Sequence, residues 1–223
     1  MKKKLLIFGA GETATIAAEF FRYDSEENLQ GLIVDDKYWE ENKKHLDLPV
    51  YPLSKIKNNF SKDKFKIFVA LSYGKLNSDR ERVYKLFLNM GYEFASYVSS
   101  KANIWRTAKI GRNCMIFEGN NIQHNVVIKD NVILWSGNHI GHGAVINDSV
   151  YVSSHVCIAG FAEIKERSFL GVNSTITDKT VVEKDCFISA SALINKNTDE
   201  NSIYSGIPAT KNLKVTAKKY FKV

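Results

Sequence analysis

A six-residue repeat runs through the second half of the chain and constrains the fold more than any other feature. Counting in steps of six from Ile104 to Ile194 gives sixteen positions, and every one is Ile, Leu or Val. These residue types fill 52 of the 223 positions, so about four matches would be expected by chance. The positions two residues earlier, from Ala102 to Ala192, hold small or β-branched residues, apart from Asn120 and Asn138.

A repeat of this kind predicts a prism of stacked triangular coils. Each hexapeptide forms one short side, with its aliphatic residue inside the prism and its small residue near a corner, so three sides make a coil of about 18 residues. Successive coils then stack by parallel strand pairing about 4.8 Å apart. Sixteen unbroken hexads therefore predict about five coils with no large insertion.

Residues 1–98 show a different pattern, which is typical of a small α/β unit. The predicted strands are Lys4–Phe8, Leu29–Val34, Phe65–Leu71 and Tyr92–Val98. One helix is predicted after Gly11, and another from an N-cap at Ser78 to a C-terminal signal at Gly91. Strands that alternate with helices favour a parallel sheet.

The turn after the first strand is a candidate phosphate site. Gly9-Ala10-Gly11 can expose backbone N–H groups at a helix N-terminus, where phosphate binds. Asp35 and Asp36 end the second strand and can accept hydrogen bonds from ribose hydroxyls or a base edge. A plain tight turn is the alternative, because Ala14 replaces the third glycine of the dinucleotide motif and Glu12 adds negative charge. Bound NAD is not expected, since these residues form only half of a dinucleotide-binding fold.

The bulk properties narrow the function classes. The net charge of +7 indicates either a solvated basic surface or attraction of anionic ligands such as nucleotide phosphates. Nucleic-acid binding is not expected, because basic residues are not clustered with aromatics on one element. No membrane span is expected, since no apolar run approaches the required ~18 residues. Cys114, Cys157 and Cys186 form no CxxC pair, which favours a reducing cytoplasm.

Histidines lie outside the predicted core ladder. His124 and His142 are 18 residues apart and should therefore stack one coil apart on one edge of the prism, while His139 and His155 also point outward. A catalytic base, an idle surface histidine and a metal ligand are the alternatives. No metal site is expected, because a structural or catalytic metal needs three or four converging ligands, and Cys114 and Cys186 take inward positions.

The hexads, the α/β unit and the motif Gly206-Ile-Pro-Ala209 together resemble the hexapeptide-repeat sugar acetyltransferases of bacteria. That family includes the bacillosamine-pathway and perosamine N-acetyltransferases and the sialic acid O-acetyltransferases. The resemblance covers nearly the whole chain and implies a left-handed parallel β-helix after a Rossmann-like domain. It implies a nucleotide-sugar-binding domain at 1–98, an acyltransferase β-helix at 99–196 and a C-terminal tail at 197–223. It also implies a homotrimer with acetyl-CoA between neighbouring subunits.

The same resemblance implies roles for individual residues. His142 falls at the position of the catalytic base, Gly160 at the glycine whose backbone approaches the thioester, and Val172 and Ala190 at backbone contacts to pantetheine. The implied nucleotide-binding residues are Gly9, Gly11, Asp35, Asp36 and Lys37. Two departures stand out. Gly143 occupies a position that is acidic in many members, and Trp135 lies where the bacillosamine and perosamine types have Asn nearby, which reshapes the acceptor pocket.

The sequence thus predicts an acetyl-CoA-dependent N-acetyltransferase acting on a nucleotide-linked amino sugar, such as a 4-amino-4,6-dideoxy sugar, for bacterial surface glycans. The acceptor would attack the thioester directly with His142 as base, and no covalent acyl-enzyme is needed. A sugar O-acetyltransferase of the sialic acid type and a non-catalytic trimeric nucleotide-binding scaffold are the alternatives. A metalloenzyme of the carbonic anhydrase type is a more distant one.

Overall fold

The computed structural model describes residues 2–223 and begins with a six-stranded sheet flanked by helices. Its strands are Lys4–Phe8 (β1), Leu29–Val34 (β2), Lys44–His45 (β3), Leu48–Pro52 (β4), Phe65–Val69 (β5) and Glu93–Phe94 (β6). The helices are Glu12–Tyr23 (α1), Ile56–Asn59 (α2) and Ser78–Asn89 (α3), with 3₁₀ turns at Asp36–Tyr38 and Leu53–Lys55. The strand order is β3-β4-β2-β1-β5-β6, and only β3 and β4 pair antiparallel. The predicted parallel sheet is confirmed.

Two local predictions in this unit were wrong. The segment predicted as one strand, Tyr92–Val98, is divided: β6 joins the sheet, whereas Tyr97–Val98 pairs with Met115–Ile116 in the second half of the chain. Asn77, not Ser78, is the N-cap of α3. The Asn77 amide does not cap the helix, because it donates to the Arg167 carbonyl at 2.8 Å while its Oδ1 accepts from Arg80 at 2.8 Å.

The second half of the chain is a parallel β-helix with three faces. The first face contains Tyr97–Val98 (β7), Met115–Ile116 (β10), Ile133–Leu134 (β13), Tyr151–Val152 (β16), Phe169–Leu170 (β19), Phe187–Ile188 (β22) and Ile203–Ser205 (β24). The second contains Asn103–Ile104 (β8), Asn121–Ile122 (β11), His139–Ile140 (β14), Cys157–Ile158 (β17), Thr175–Ile176 (β20) and Leu193–Ile194 (β23). The third contains Lys109–Ile110 (β9), Val127–Ile128 (β12), Val145–Ile146 (β15), Glu163–Ile164 (β18) and Val181–Val182 (β21).

The six-residue repeat builds the core of this β-helix as predicted. Every aliphatic repeat position from Ile116 to Ile194 is buried, and each such side chain contributes about 1.5–3 kcal/mol. Ile104 and Ile110 are only partly buried, because the first coil has a neighbour on one side only. The coil is longer than the sixteen hexads, since β7 precedes them and β24 follows them in register on the first face.

The corners of the coil have a second six-residue period. Every sixth residue from Asn113 to Ser191 has a positive φ, between 54° and 76°. Glycine and asparagine adopt this left-handed conformation most readily, and they fill half of these positions. The remainder include His155 and Phe161, where the coil holds bulky residues in a conformation that they rarely adopt.

The N-terminal unit packs on the outer surface of the first face. Phe20 of α1 contacts Tyr97 and Phe117 at ring-centroid distances of 5.2 and 5.1 Å. Arg80 of α3 is fully buried between this unit and the β-helix. At the other end, Thr210–Lys211 (β25) pairs antiparallel with β24, and Ala217–Phe221 (α4) covers Phe187.

Candidate active site

A cleft of about 750 Å³ lies at the carboxyl ends of β1 and β2, where ligands bind in open α/β sheets. Gly9, Gly11, Asp35 and Lys37 line it, so four of the five predicted nucleotide-binding residues come together. Asp36 does not line this cleft. Its carboxylate accepts from the Ser54 N–H at 3.1 Å and the Ser54 hydroxyl at 2.9 Å, which fixes the following turn instead.

The two glycines of the turn have different reasons to be glycine. Gly9 has φ +126°, and a Cβ there would lie 2.8 Å from the Ala70 carbonyl oxygen, so the fold itself requires it. Gly11 is the N-cap residue of α1, and a Cβ there would meet nothing within 4 Å. Packing therefore does not require glycine at position 11. A bare backbone at a helix N-terminus is well suited to close approach by an anion.

Four basic residues line the same cleft and were missed in the sequence: Lys43, His45, Lys75 and Arg82. They come from the β3–β4 hairpin, the loop after β5 and α3, and no spacing pattern marked them. Arg82 lies 3.6 Å from the Asp35 carboxylate, and His45 Nε2 lies 2.7 Å from the Thr15 hydroxyl. Cationic walls raise the local concentration of anionic ligands. These basic residues therefore make the cleft more favourable for phosphate groups than the sequence, which pointed to Asp35 and Asp36 there, had indicated.

A second cavity of about 450 Å³ extends this cleft toward the β-helix. The two share Gly11, Leu71 and Ser72, and the second is also lined by Glu12 and Trp135. Trp135 is half-buried and stacks on Phe117 at 4.7 Å. Its indole N–H is buried and donates to no acceptor in residues 2–223. Trp135 thus lies next to the nucleotide cleft, at the junction of the two units.

His142 lies at the corner between the second and third faces, just after β14. Its imidazole stacks on His124 at 5.4 Å with an interplanar angle of 10°, which confirms the predicted stack one coil apart. The Phe161 ring contacts this imidazole edge-on, with ring centroids 4.9 Å apart. The backbone N–H of His142 donates to Gln123 Oε1 at 2.9 Å. The ring is therefore held by packing on a face and an edge.

Gly143 follows His142 and has φ +65°. A Cβ at this position would lie 2.7 Å from the Phe161 ring. An acidic side chain at this position would be both strained and obstructed. The Phe161 ring thus occupies the space beside His142 that such a side chain would need.

Gly160 lies directly beside the His142 ring, one coil further along. A Cβ on Gly160 would lie 2.7 Å from His142 Cε1, 2.9 Å from Nε2 and 3.1 Å from Asp178 Oδ1. Within residues 2–223, the buried Gly160 N–H donates to no acceptor. Asp178 was missed in the sequence, although its separation from His142 by two 18-residue coils was a usable signal.

The remaining predicted residues lie at another corner. Val172 and Ala190 are exposed and stand one coil apart after β19 and β22. Neither described cavity is lined by His142, Gly160, Val172 or Ala190. Within residues 2–223, neither of these two cavities therefore joins the nucleotide cleft to His142.

Residues 2–223 contain no group of three or more His, Cys, Asp or Glu side chains placed to hold a metal ion. No helix in that range has both the length and the apolar character needed to cross a membrane.

The coil architecture and the sequence together define the class of this protein, which is a hexapeptide-repeat protein with a left-handed parallel β-helix. The family model of the GMPPB C-terminal domain matches residues 93–204, which are half of the chain. The chain belongs to that family. No curated protein matches the sequence.

Solved structures that are similar over nearly the whole chain confirm the fold predicted from the sequence. The acetyltransferase domain of PglB from Neisseria gonorrhoeae FA1090 is 21% identical, with a TM-score of 0.83 over 95% of this chain and 100% of that one. PerB from Caulobacter crescentus, solved with CoA and GDP-perosamine, is 18% identical, with a TM-score of 0.82 over 95% and 98%. WeeI from Acinetobacter baumannii AYE is 16% identical, with a TM-score of 0.71 over 95% and 100%.

Proposed function

We propose that this protein is an acetyl-CoA-dependent N-acetyltransferase that acts on a nucleotide-linked amino sugar, such as a 4-amino-4,6-dideoxy sugar, for bacterial surface glycans. The observation that carries this proposal is the His142 imidazole beside Gly160, whose backbone N–H donates to no acceptor within residues 2–223. The chain also has a cationic cleft large enough for a nucleotide. The fold shared with PglB and with PerB, which was solved with CoA and a nucleotide-linked amino sugar, supports it.

The cleft at the carboxyl edge of the sheet is the proposed nucleotide site. Gly9 and Gly11 would present backbone N–H groups to the phosphates, while Lys37 and the basic residues around it would attract them. Asp35 would accept hydrogen bonds from the nucleoside, with Asp36 holding the adjacent turn. The second cavity would then lead the sugar toward Trp135.

The acetyl transfer would proceed by direct attack. The acceptor enters as an ammonium and gives one proton to the imidazole of His142, and the resulting amine nitrogen forms a bond to the thioester carbonyl carbon. As the amide forms, this nitrogen loses a second proton, which is available to the leaving thiolate. The Gly160 N–H would donate to the oxyanion that develops on that carbonyl. The carbon–sulfur bond then breaks, and CoA leaves as a thiolate that takes up a proton. Val172 and Ala190 would contact the pantetheine arm through their backbones.

The resemblance to the sugar acetyltransferases implies a homotrimer. A site completed between neighbouring subunits would account for the absence of His142 from the lining of the cleft. We place acetyl-CoA in the groove between two β-helices, close to His142 of one of them. The division into a nucleotide-sugar domain at 1–98, an acyltransferase domain at 99–196 and a tail at 197–223 belongs to this proposal. The cytoplasm, where acetyl-CoA is available and thiols such as Cys114, Cys157 and Cys186 stay reduced, is the proposed location.

The test follows CoA release by the purified protein with a panel of UDP-, dTDP- and GDP-linked 4-amino sugars. We expect His142→Ala to lower kcat by at least about a hundredfold, because a general base contributes about 10²–10⁴-fold. His155→Ala is the matched control, since His155 is an exposed corner histidine that does not contact His142. Full activity of His142→Ala would overturn the proposed base. Binding of acetyl-CoA without turnover on any acceptor would favour the non-catalytic scaffold.

A further inference from the structure

One edge of the β-helix carries His124, His142, Gly160 and Asp178, each 18 residues after the last. His124 and His142 stack face to face. Gly160 has no side chain, so a gap separates the His142 ring from the Asp178 carboxylate. A Cβ placed on Gly160 would stand in this gap, 2.9 Å from His142 Nε2 and 3.1 Å from Asp178 Oδ1.

Because both atoms lie close to that one point, His142 Nε2 and Asp178 Oδ1 are at most about 6 Å apart. A polar ligand atom between them, farther from the Gly160 backbone than a bonded Cβ, can be within hydrogen-bond distance of both groups. With neutral His142 unprotonated at Nε2, both neighbours are acceptors. Only a group with at least two N–H or O–H hydrogens can donate to both at once. A sugar hydroxyl has one hydrogen, whereas a protonated amine has three and carries the charge that a carboxylate attracts.

We propose that Asp178 holds the ammonium group of the acceptor against His142 Nε2 and so selects an amine over a hydroxyl; this inference rests on the acetyltransferase function proposed above. The ammonium gives one proton to Nε2, so an N–H bond breaks there and an imidazole N–H bond forms. Asp178 stays ionised and keeps its hydrogen bond to the amine, which then has a free electron pair for the thioester carbon. Asp178, two coils after His142, thereby supplies the negative charge that an acidic residue at position 143 would have provided and that Gly143 lacks.

The Asp178 carboxylate is available for this role. Its side chain makes no hydrogen bond within residues 2–223, and its one ion-pair contact is with Lys179 Nζ at 3.7 Å, where the two side chains are 56% and 75% exposed. An exposed pair at this distance is weak. The other charged or titratable groups on this edge are Arg106, one coil before His124, then His124, which faces His142 from the preceding coil, and Lys196, one coil beyond Asp178.

The test uses Asp178→Asn in the full-length protein, with the 4-amino sugar nucleotide that the wild type uses best and its 4-hydroxy counterpart. We expect kcat/KM for the amine to fall about tenfold at pH 7. This loss is at the low end of the range expected for a hydrogen bond to a charged group, because Asp178 is exposed. The loss should shrink as pH rises above the pKa of the acceptor amine, because the neutral amine gains less from a carboxylate. Turnover of the 4-hydroxy compound and acetyl-CoA affinity should not change. Lys179→Ala, which removes only the ion-pair partner, should keep wild-type kcat/KM.

Each outcome bears on the inference. Wild-type amine kcat/KM in Asp178→Asn, together with an inactive His142→Ala, would overturn the role of Asp178 and leave the acetyltransferase function standing. A loss that is equal at every pH, or equal for amine and hydroxyl acceptors, would also overturn it, because a structural defect would act on both. Absence of wild-type turnover on any amine would overturn the inference together with the function on which it rests.

Discussion

Replacing Arg80 by Met should weaken the junction between the two units of the chain. Arg80 is fully buried and forms no ion pair with a carboxylate within residues 2–223. It donates instead to Asn77 Oδ1 at 2.8 Å, to the Ser149 carbonyl at 2.8 Å and to the Asn131 carbonyl at 3.3 Å. Burial lowers the pKa of Arg80 to about 10. That value is still well above 7, so the guanidinium stays charged at neutral pH.

The magnitude follows from what Arg80→Met leaves behind. Those three buried acceptors have no other donor within residues 2–223. Each unpaired buried acceptor costs about 1–3 kcal/mol, or about 3–9 kcal/mol for the three. Removal of a buried charge returns several kcal/mol of desolvation energy. The net expectation is a loss of about 2–4 kcal/mol in the free energy of unfolding.

Urea unfolding followed by circular dichroism measures this loss. With an m-value of about 3 kcal/mol/M, the midpoint should fall by roughly 1 M. Arg82→Met is the matched control on the same helix. Arg82 is exposed and makes one long contact of 3.6 Å, so we expect a change below about 0.5 kcal/mol. An Arg80→Met protein within 0.5 kcal/mol of wild type would refute the reasoning, because it would mean that the three acceptors need no guanidinium.

Four further predictions address other parts of the chain. Gly160→Ala should lower acetyl transfer at least about a hundredfold with little change in melting temperature, because its Cβ would lie within 2.9 Å of the His142 ring; unchanged kcat would contradict this. Hydrogen bonds from Ser100 and Tyr97 lower the pKa of Asp24 to about 2, so the stability it contributes is complete above its ordinary value near 4 and is lost as pH falls toward 2. Asp24→Asn should reduce the change in the free energy of unfolding over that acid pH range, measured by urea unfolding at several pH values. The reduction should be less than about 1 kcal/mol, since the group is accessible to solvent. Ile158→Ala should cost about 2–5 kcal/mol by urea unfolding, because Ile158 is fully buried in the prism; a cost below 1 kcal/mol would show that the coil collapses around the cavity. Trp135→Phe removes a buried N–H that has no acceptor within residues 2–223, so thermal stability should hold or rise while the KM for the sugar nucleotide increases; an unchanged KM would remove Trp135 from the acceptor pocket.

The β-helix was predictable because one periodic signal repeats sixteen times. Register, burial and the stacking of His124 on His142 all follow from a coil of fixed length. The corner residues with positive φ form an equally regular series from Asn113 to Ser191. Only half of them are glycine or asparagine, so the other half could not be recognised from residue type. Residues such as Phe161 adopt that conformation because their neighbours in the coil impose it.

The cleft was less predictable because its walls come from distant parts of the chain. Gly9 and Asp35 follow strands and were found from local pattern, whereas Lys43, Lys75 and Arg82 depend on how a hairpin, a loop and a helix fold back over the sheet. No local sequence pattern predicts how these three segments fold back over the sheet. Arg80 shows the same limit, since a mid-helix arginine is normally read as solvated and is here buried by the β-helix.

The constant length of the coil means that neighbours in space are separated by a fixed number of residues along each edge. A functional group lost from one rung can therefore be regained from another by a single substitution, with no loop to rebuild and no core side chain to change. Relatives with this architecture can then keep the same chemistry while its participants sit 18 or 36 positions apart in sequence. Position-by-position comparison of such proteins would miss these exchanges, whereas comparison along each edge of the prism would reveal them.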